Sequence, residues 1–431
     1  MKFEGKTLLI LGTNVGSVDM VKYARSEGAY VIVTDYLPTE KSEAKQYANE
    51  TAMISTTDIE ALIEFGREKH IDGVFCGVSE VNLLSVNAVA NALGLPCYFT
   101  REQWDVLQNK LKFKELCRAN GVPVVKEYKV SPEPTREELD RVVYPVMVKP
   151  ADSSGARGCR PCRNEEELLR GISDALSYSK AGQVIVEKYM DRRFCDDVDF
   201  RYIFAGGDAY PSFVYDRYVN MEQKGFAPVT SALICPSPYT ENFISEVDKP
   251  LRRMFASLGI KEGVAFIQSF RDEEGFHVYE MGFRFCGGQF QIPDLSEFGV
   301  DEIRAMLNFA LTGESFCSES VENITPHPFN HYCNLHFLCS EGTISRIDGL
   351  EEVRNDPSVI NITQMHSVGD FIAGNGTLEQ VLFRVYVKAQ TRDALMDKIR
   401  ELRTKIVAYD ENDKPMMLSA LNPDDIGTGK C

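Results

Sequence analysis

Between residues 110 and 288 the chain sets out, in order, groups that could cradle phosphate. Lys110 opens a helical stretch that stops at Gly121-Val122-Pro123. The apolar run Val146-Met147-Val148 then delivers Lys149 next to a small-residue loop, Ser153-Ser154-Gly155-Ala156-Arg157-Gly158. Such a loop turns successive backbone N–H groups toward phosphate oxygens, and a lysine beside it adds a point charge. Val184 to Met190 reads as a strand that turns polar at its end, at Glu187 and Lys188. Finally Val278-Tyr279-Glu280-Met281-Gly282-Phe283-Arg284 puts a carboxylate on a strand and an arginine four residues later, ahead of Gly287-Gly288. The glycine pair lets backbone approach a substrate closely. An arginine between Phe283 and Phe285 is out of place as a purely solvated group.

These groups need a scaffold, and the hydrophobic periodicity supplies one. Apolar strands Thr7–Leu11, Tyr30–Thr34 and Ile71–Cys76 alternate with helical patterns, among them Glu80–Leu93 closed by Gly94, which predicts a doubly wound parallel βαβ unit. Thr100–Asn120 reads as helical. Strand-rich segments follow: Tyr144–Lys149, Gln183–Tyr189, Asp199–Phe204, Ala209–Tyr215, Val264–Phe270 and Phe276–Met281, the last two joined by the turn Asp272-Glu273-Glu274-Gly275. A helix is expected over Asp301–Leu311, another over Thr391–Val407, and a loose tail from Leu421 to Cys431. The fold class is thus α/β and α+β, in three parts: an α/β domain over 1–105, a two-lobed domain over 106–315, and a strand-rich α+β region over 316–431 packed on it.

Composition narrows the function. Sixty-four Asp and Glu against 47 Lys and Arg give a formal charge of −17 over 431 residues, which repels nucleic acid and anionic lipid. No apolar run approaches the roughly 20 residues that span a bilayer, and the N-terminus lacks a signal-peptide pattern. Twelve scattered cysteines fit a reduced, cytoplasmic protein. Cys159 and Cys162 have metal spacing, but no second pair completes a tetrahedral site. Gly12, Gly16 and Asp35 raise a nicotinamide-type dinucleotide site. The fingerprint, however, needs a glycine where Asn14 stands. A plain strand-to-helix turn, or a helix N-terminus at Ser17 facing a substrate anion, fits better.

Taken together, these motifs resemble the ATP-grasp superfamily, most closely its carboxylate–amine ligases of the L-amino-acid type, and also carbamoyl-phosphate synthetases and biotin carboxylases. The resemblance covers about residues 1–315 and implies a pre-ATP-grasp domain, then two lobes clamping ATP, with a mobile lid at about 125–186. It implies that Lys110 and Lys149 contact ATP phosphates, that Ser153, Ser154, Gly155 and Gly158 belong to the loop over the triphosphate, and that Glu187, Lys188 and Met190 form the adenine hinge. Asp196 or Asp197 would hold the ribose hydroxyls. Glu280 and Gln268 match the magnesium-ligand positions, and Arg284 the reaction-centre arginine. Gly282 departs from the pattern, since the family carries asparagine there. Glu80 stands where relatives carry an acid at the domain junction. The implied activity is ATP- and magnesium-dependent joining of a carboxylate to an amine through an acyl phosphate, with Lys149 and Arg284 as the catalytic groups. Expected partners are the two small substrates and a second copy of the chain, with neither nucleic acid nor membrane. Rival readings are an oxidoreductase built on the first domain and a nucleotide-binding regulatory protein without turnover.

Overall fold

A computed structural model describes residues 2–153, 157–220, 229–316 and 318–426. The first sheet is parallel, in the order Glu50–Ala52, Tyr30–Thr34, Thr7–Leu11, Gly73–Phe75. Leu8 to Leu11 and Val31 to Val33 are wholly buried, as expected of strands covered by helices on both faces. The helix Glu80–Leu93 starts on a Ser79 cap and ends at Gly94 in the left-handed conformation, φ 69°, as the sequence predicts.

The stretch Thr100–Asn120 is two helices: Arg101–Gln108, opened by a Thr100/Gln103 capping box, and Lys110–Ala119. Asn109 separates them because its side-chain oxygen accepts from the N–H groups of Leu111 and Lys112, both at 3.1 Å. A short polar side chain that caps backbone starts a new helix instead of continuing the old one. Lys110 thereby becomes a first-turn residue with a fixed direction.

A four-stranded antiparallel sheet follows, in the order Glu127–Tyr128, Val184–Lys188, Val146–Pro150, Arg160–Cys162. The helix Glu165–Tyr178 packs on it over a separate core of Val146, Val148, Cys162, Leu168, Ile172 and Val186. The second antiparallel sheet has eight strands in the order Gly275–Gly282, Gly263–Asp272, Asp196–Ala205, Asp208–Val219, Thr230–Cys235, His331–Leu338, Val381–Ala389, Val359–Gln364. The C-terminal region therefore does more than pack on the preceding domain. Its strands continue the same hydrogen-bonded sheet, through Thr230–Cys235 paired with His331–Leu338.

The C-terminal helix is shorter than the sequence pattern suggests. It ends at Leu402, and Val407–Tyr409 is a strand paired with Arg346–Asp348; β-branched Thr404, Ile406 and Val407 favour extended backbone. No helix among the described residues is long and apolar enough to cross a membrane.

Candidate active site

Lys110, from the first turn of its helix, reaches the carbonyl of Ser153 at 2.7 Å and the carboxylate of Glu280 at 3.5 Å. Its own N–H bonds the carbonyl of Ala151 at 3.0 Å, so the helix start is tied to the strand end that carries Lys149. A cleft of about 770 Å3 opens here, bounded among others by Glu80, Lys110, Ser153, Arg157, Tyr178 and Glu280. Gly158 closes the small-residue loop at φ 74°, and a β-carbon there would stand 2.8 Å from Pro150 and Tyr178. Only glycine suits both the backbone and the space. Ser154 and Gly155, expected in the same loop, lie outside the described residues.

Lys149 leaves the strand Val146–Pro150 and forms an ion pair with Glu187 on the neighbouring strand. Glu187 also binds Lys114, which in turn meets Glu127 at 3.2 Å. Burial opposes the charge on Glu187, but Lys114 and then Lys149 outweigh it and hold the carboxyl at about 2. Burial likewise opposes the charge on Lys149, and Glu187 overrides it and raises the ammonium above its ordinary value. Glu187 thus acts through its side chain as the anchor of Lys149, a role the sequence did not suggest for a hinge residue. Lys114 was legible in principle: it lies four residues after Lys110, on the same helix face.

At the hinge, the N–H groups of Lys188 and Tyr189 bond Lys126 and Pro145 at 2.8 and 3.1 Å. Met190 is buried beside Val125, Phe270 and Tyr279. The Lys188 ammonium turns toward Asp272, 3.4 Å away, and does not join the cluster. Nor does Asp196, which is exposed and accepts from Tyr239 Oη at 2.5 Å. Asp197 is buried with both oxygens taken, by Arg192 at 2.8 Å and Arg217 at 2.7 Å. The ribose role expected at 196 or 197 therefore finds no free carboxylate at 197.

Glu280, Gln268 and Asp199 form a row across three adjacent strands. The Gln268 amide satisfies both its ends when its nitrogen donates to Glu280 Oε1 at 3.2 Å and its oxygen accepts from Arg217 Nη1 at 2.8 Å. Glu280 thus offers carboxylate oxygen to the cleft, while the oxygen of Gln268 is held by Arg217. Burial works against the Glu280 charge, yet Lys110 and then Lys149 keep the carboxyl below its ordinary range, so it is anionic and able to bind a cation. Buried Asp199, two strands over, carries an unpaired Oδ1 and is pushed up by that burial to about 7.

Arg284 lies 2.7 Å from Glu80, the first residue of its helix, and donates to its neighbour's carbonyl, Phe285 O, at 2.9 Å. Its guanidinium stacks over Phe266 at 5.0 Å. Phe266 pairs across the strands with Gly282, the position where asparagine was expected. The glycine turn near the N-terminus is filled from within: Asn82 Nδ2 donates to Leu11 O at 2.9 Å and would stand 2.8 Å from a β-carbon on Gly12. This packing matches the plain-turn reading.

The cleft thus gathers Lys110, Ser153, Glu280 and Glu80, with Lys149 and Arg284 beside it. Lys110 and Lys149 close to the Glu280 carboxylate suit a polyphosphate and its counter-cation.

Known proteins match the chain in sequence and in structure. Residues 109–194 match the family model for the carbamoyl-phosphate synthase L chain, ATP binding domain. The chain is similar to the 2-oxoglutarate carboxylase small subunit of Hydrogenobacter thermophilus, 24% identical over 77% of this chain and 71% of that one. It is 27% identical to D-alanine–D-alanine ligase B of Clostridium tetani over 50% of this chain, spanning 57% of that ligase. In structure it resembles the L-amino acid ligase from Bacillus licheniformis, with a TM-score of 0.76 and 19% identity over 95% of this chain and all of that one. Residues 109–194 thus carry the match to an ATP-binding domain, and the chain as a whole shares the fold of that ligase.

Proposed function

We propose that the chain is an ATP-dependent ligase that activates a carboxylate as an acyl phosphate and couples it to an amine, releasing ADP and phosphate. The observation that carries this reading is the meeting of Lys110 and Glu280 in one cleft, with Arg284 two residues beyond the end of the strand that carries Glu280. ATP would lie with its adenine at the hinge ending in Met190 and its phosphates along Lys149, Lys110 and the loop from Ser153 to Gly158. Magnesium fits the anionic, cleft-facing Glu280; when bound, it would neutralise phosphate charge and orient the terminal phosphoryl group.

A carboxylate oxygen of the acid attacks the γ-phosphorus, and the bond to the β-bridging oxygen breaks to leave ADP. The amine nitrogen then attacks the acyl carbon and loses a proton, and phosphate departs carrying that carboxylate oxygen. No protein nucleophile takes part. The chain contributes positioning and fixed charge, with Lys149 braced by Glu187 and Arg284 braced by Glu80 and Phe266. A screen of small carboxylates with amines for phosphate release from ATP and magnesium tests the reading. Release that requires both an acid and an amine supports it, and release indifferent to both rejects it.

A further inference from the structure

The strands His331–Leu338 and Val381–Ala389 have two unlike faces. Cys333, Leu335, Phe337, Phe383, Val385 and Val387 enter the apolar core under the helix Arg392–Leu402. Asn334, His336, Arg384 and Tyr386 alternate with them and stand on the other face. The loop after Arg284 lies on that second face: Gly287 O accepts from Arg384 Nη1, and Gly288 O accepts from Asn334 at 2.9 Å and from Tyr386 at 2.5 Å.

Arg384 is only 4% exposed, its Nε has no partner, and no carboxylate among the described residues pairs with it. Three other arginines face acids: Arg201 meets Glu302, Arg217 meets Asp197, and Arg284 meets Glu80, while part-buried Arg271 rests on the rings of Tyr239 and Phe276. A buried guanidinium without an anion is costly, and the missing anion can come from a ligand.

His336 stands directly opposite Arg384 in register and is 2% exposed. Its Nδ1 lies 2.9 Å from the carbonyl of Thr230, so Nδ1 carries the hydrogen and Nε2, unpartnered, presents a lone pair. Burial and then the Arg384 charge hold the imidazole neutral, at about 3. The backbone at Gly287 faces open space, since a β-carbon there would meet nothing within 4 Å. Gly287 follows Arg284 by three positions, at most roughly 10 Å of extended chain, so a ligand held at this loop lies close to that arginine.

We infer that Arg384 and His336 form the anchoring subsite of the second substrate, Arg384 taking a carboxylate and His336 Nε2 accepting an N–H from the same molecule. The amine is then one that bears its own carboxylate, an amino acid. A single cation beside a neutral acceptor suits one carboxylate with a neighbouring amine better than a doubly charged phosphate ester. The inference rests on the ligase reading for the word substrate, but binding can be measured without turnover.

The test is calorimetry on the full chain with magnesium and a non-hydrolysable ATP analogue, using a panel of L-amino acids, their carboxamides, and phosphoethanolamine. At least one amino acid should bind roughly tenfold or more tightly than its carboxamide. Arg384→Met should erase that preference and leave affinity for the analogue unchanged, and His336→Phe should weaken acid and carboxamide alike. Arg384→Met should also unfold at or above the wild-type temperature, because the arginine has no internal anion to lose. Equal binding of acid and carboxamide, tight binding of phosphoethanolamine alone, or a marked drop in the unfolding temperature of Arg384→Met each overturns the subsite. Arg384-dependent binding without ATP-dependent phosphate release would keep the subsite and reject the ligase reading.

Discussion

The ring of Phe266 occupies the place where a β-carbon on Gly282 would stand, with two ring carbons 2.4 Å from that point. The same ring underlies the guanidinium of Arg284. The glycine at 282 is thus part of a local exchange, in which an aromatic support for the arginine takes the room of an asparagine side chain.

Gly282→Asn should therefore lower stability by about 1–3 kcal/mol, the usual cost of overpacking a filled site. Adding Phe266→Ala should recover part of that loss by making room. Thermal unfolding of the single and double variants checks this, and a Gly282→Asn variant that unfolds with the wild type would show that the ring moves aside freely.

Much of this site was legible because its signals are local. Lys110, Lys149, Glu280 and Arg284 each sit at the end or edge of an apolar element beside glycine or a cap, a pattern contained in a dozen residues or fewer. What was hidden depends on pairing between distant strands. The reason for Gly282 requires knowing that Phe266 faces it. The grip of Arg384 and Tyr386 on Gly287 and Gly288 depends on a sheet order that brings the seventh strand under a loop from the first. The same limit applied to Asp196 and Asp197, adjacent on one strand but facing opposite sides of it, where only the arginines contributed by other segments decide which is buried.

Lys149→Ala should cost stability as well as turnover. It removes one of the two lysines that hold buried Glu187 and should lose on the order of 2 kcal/mol, below the usual 3–5 because Lys114 remains. The sign of the pH dependence follows from Glu187. Its folded value of about 2 lies below its ordinary 4.5, so its contribution is complete above about 4.5 and is lost as pH falls toward 2. The gap between wild type and Lys149→Ala should narrow over that window, as read from unfolding midpoints against pH. A gap that widens on acidification would place the stabilising charge elsewhere.

Glu280→Gln should weaken magnesium-dependent ATP binding far more than Gln268→Ala, because Glu280 offers an anionic oxygen to the cleft while the Gln268 oxygen is held by Arg217. Calorimetric titration of ATP with and without magnesium separates the two. Equal, mild losses would move the metal away from Glu280.

Arg284→Met should bind ATP almost as well as the wild type yet turn over at least about a hundredfold more slowly, the effect of losing roughly 3 kcal/mol of charge stabilisation felt mainly in the transition state. Glu80→Gln should show a smaller fall of the same kind, since Glu80 only orients the guanidinium. Proportional losses of affinity and rate in Arg284→Met would make it a binding residue.

The central claim is that the acid is activated by phosphorylation, and oxygen transfer tests it most directly. With the carboxylate of the best acid labelled with oxygen-18, one labelled oxygen should appear in the inorganic phosphate for each product formed, and its release should require the amine. Unlabelled phosphate alongside product formation would contradict an acyl phosphate, and with it the mechanism built on Lys149, Glu280 and Arg284.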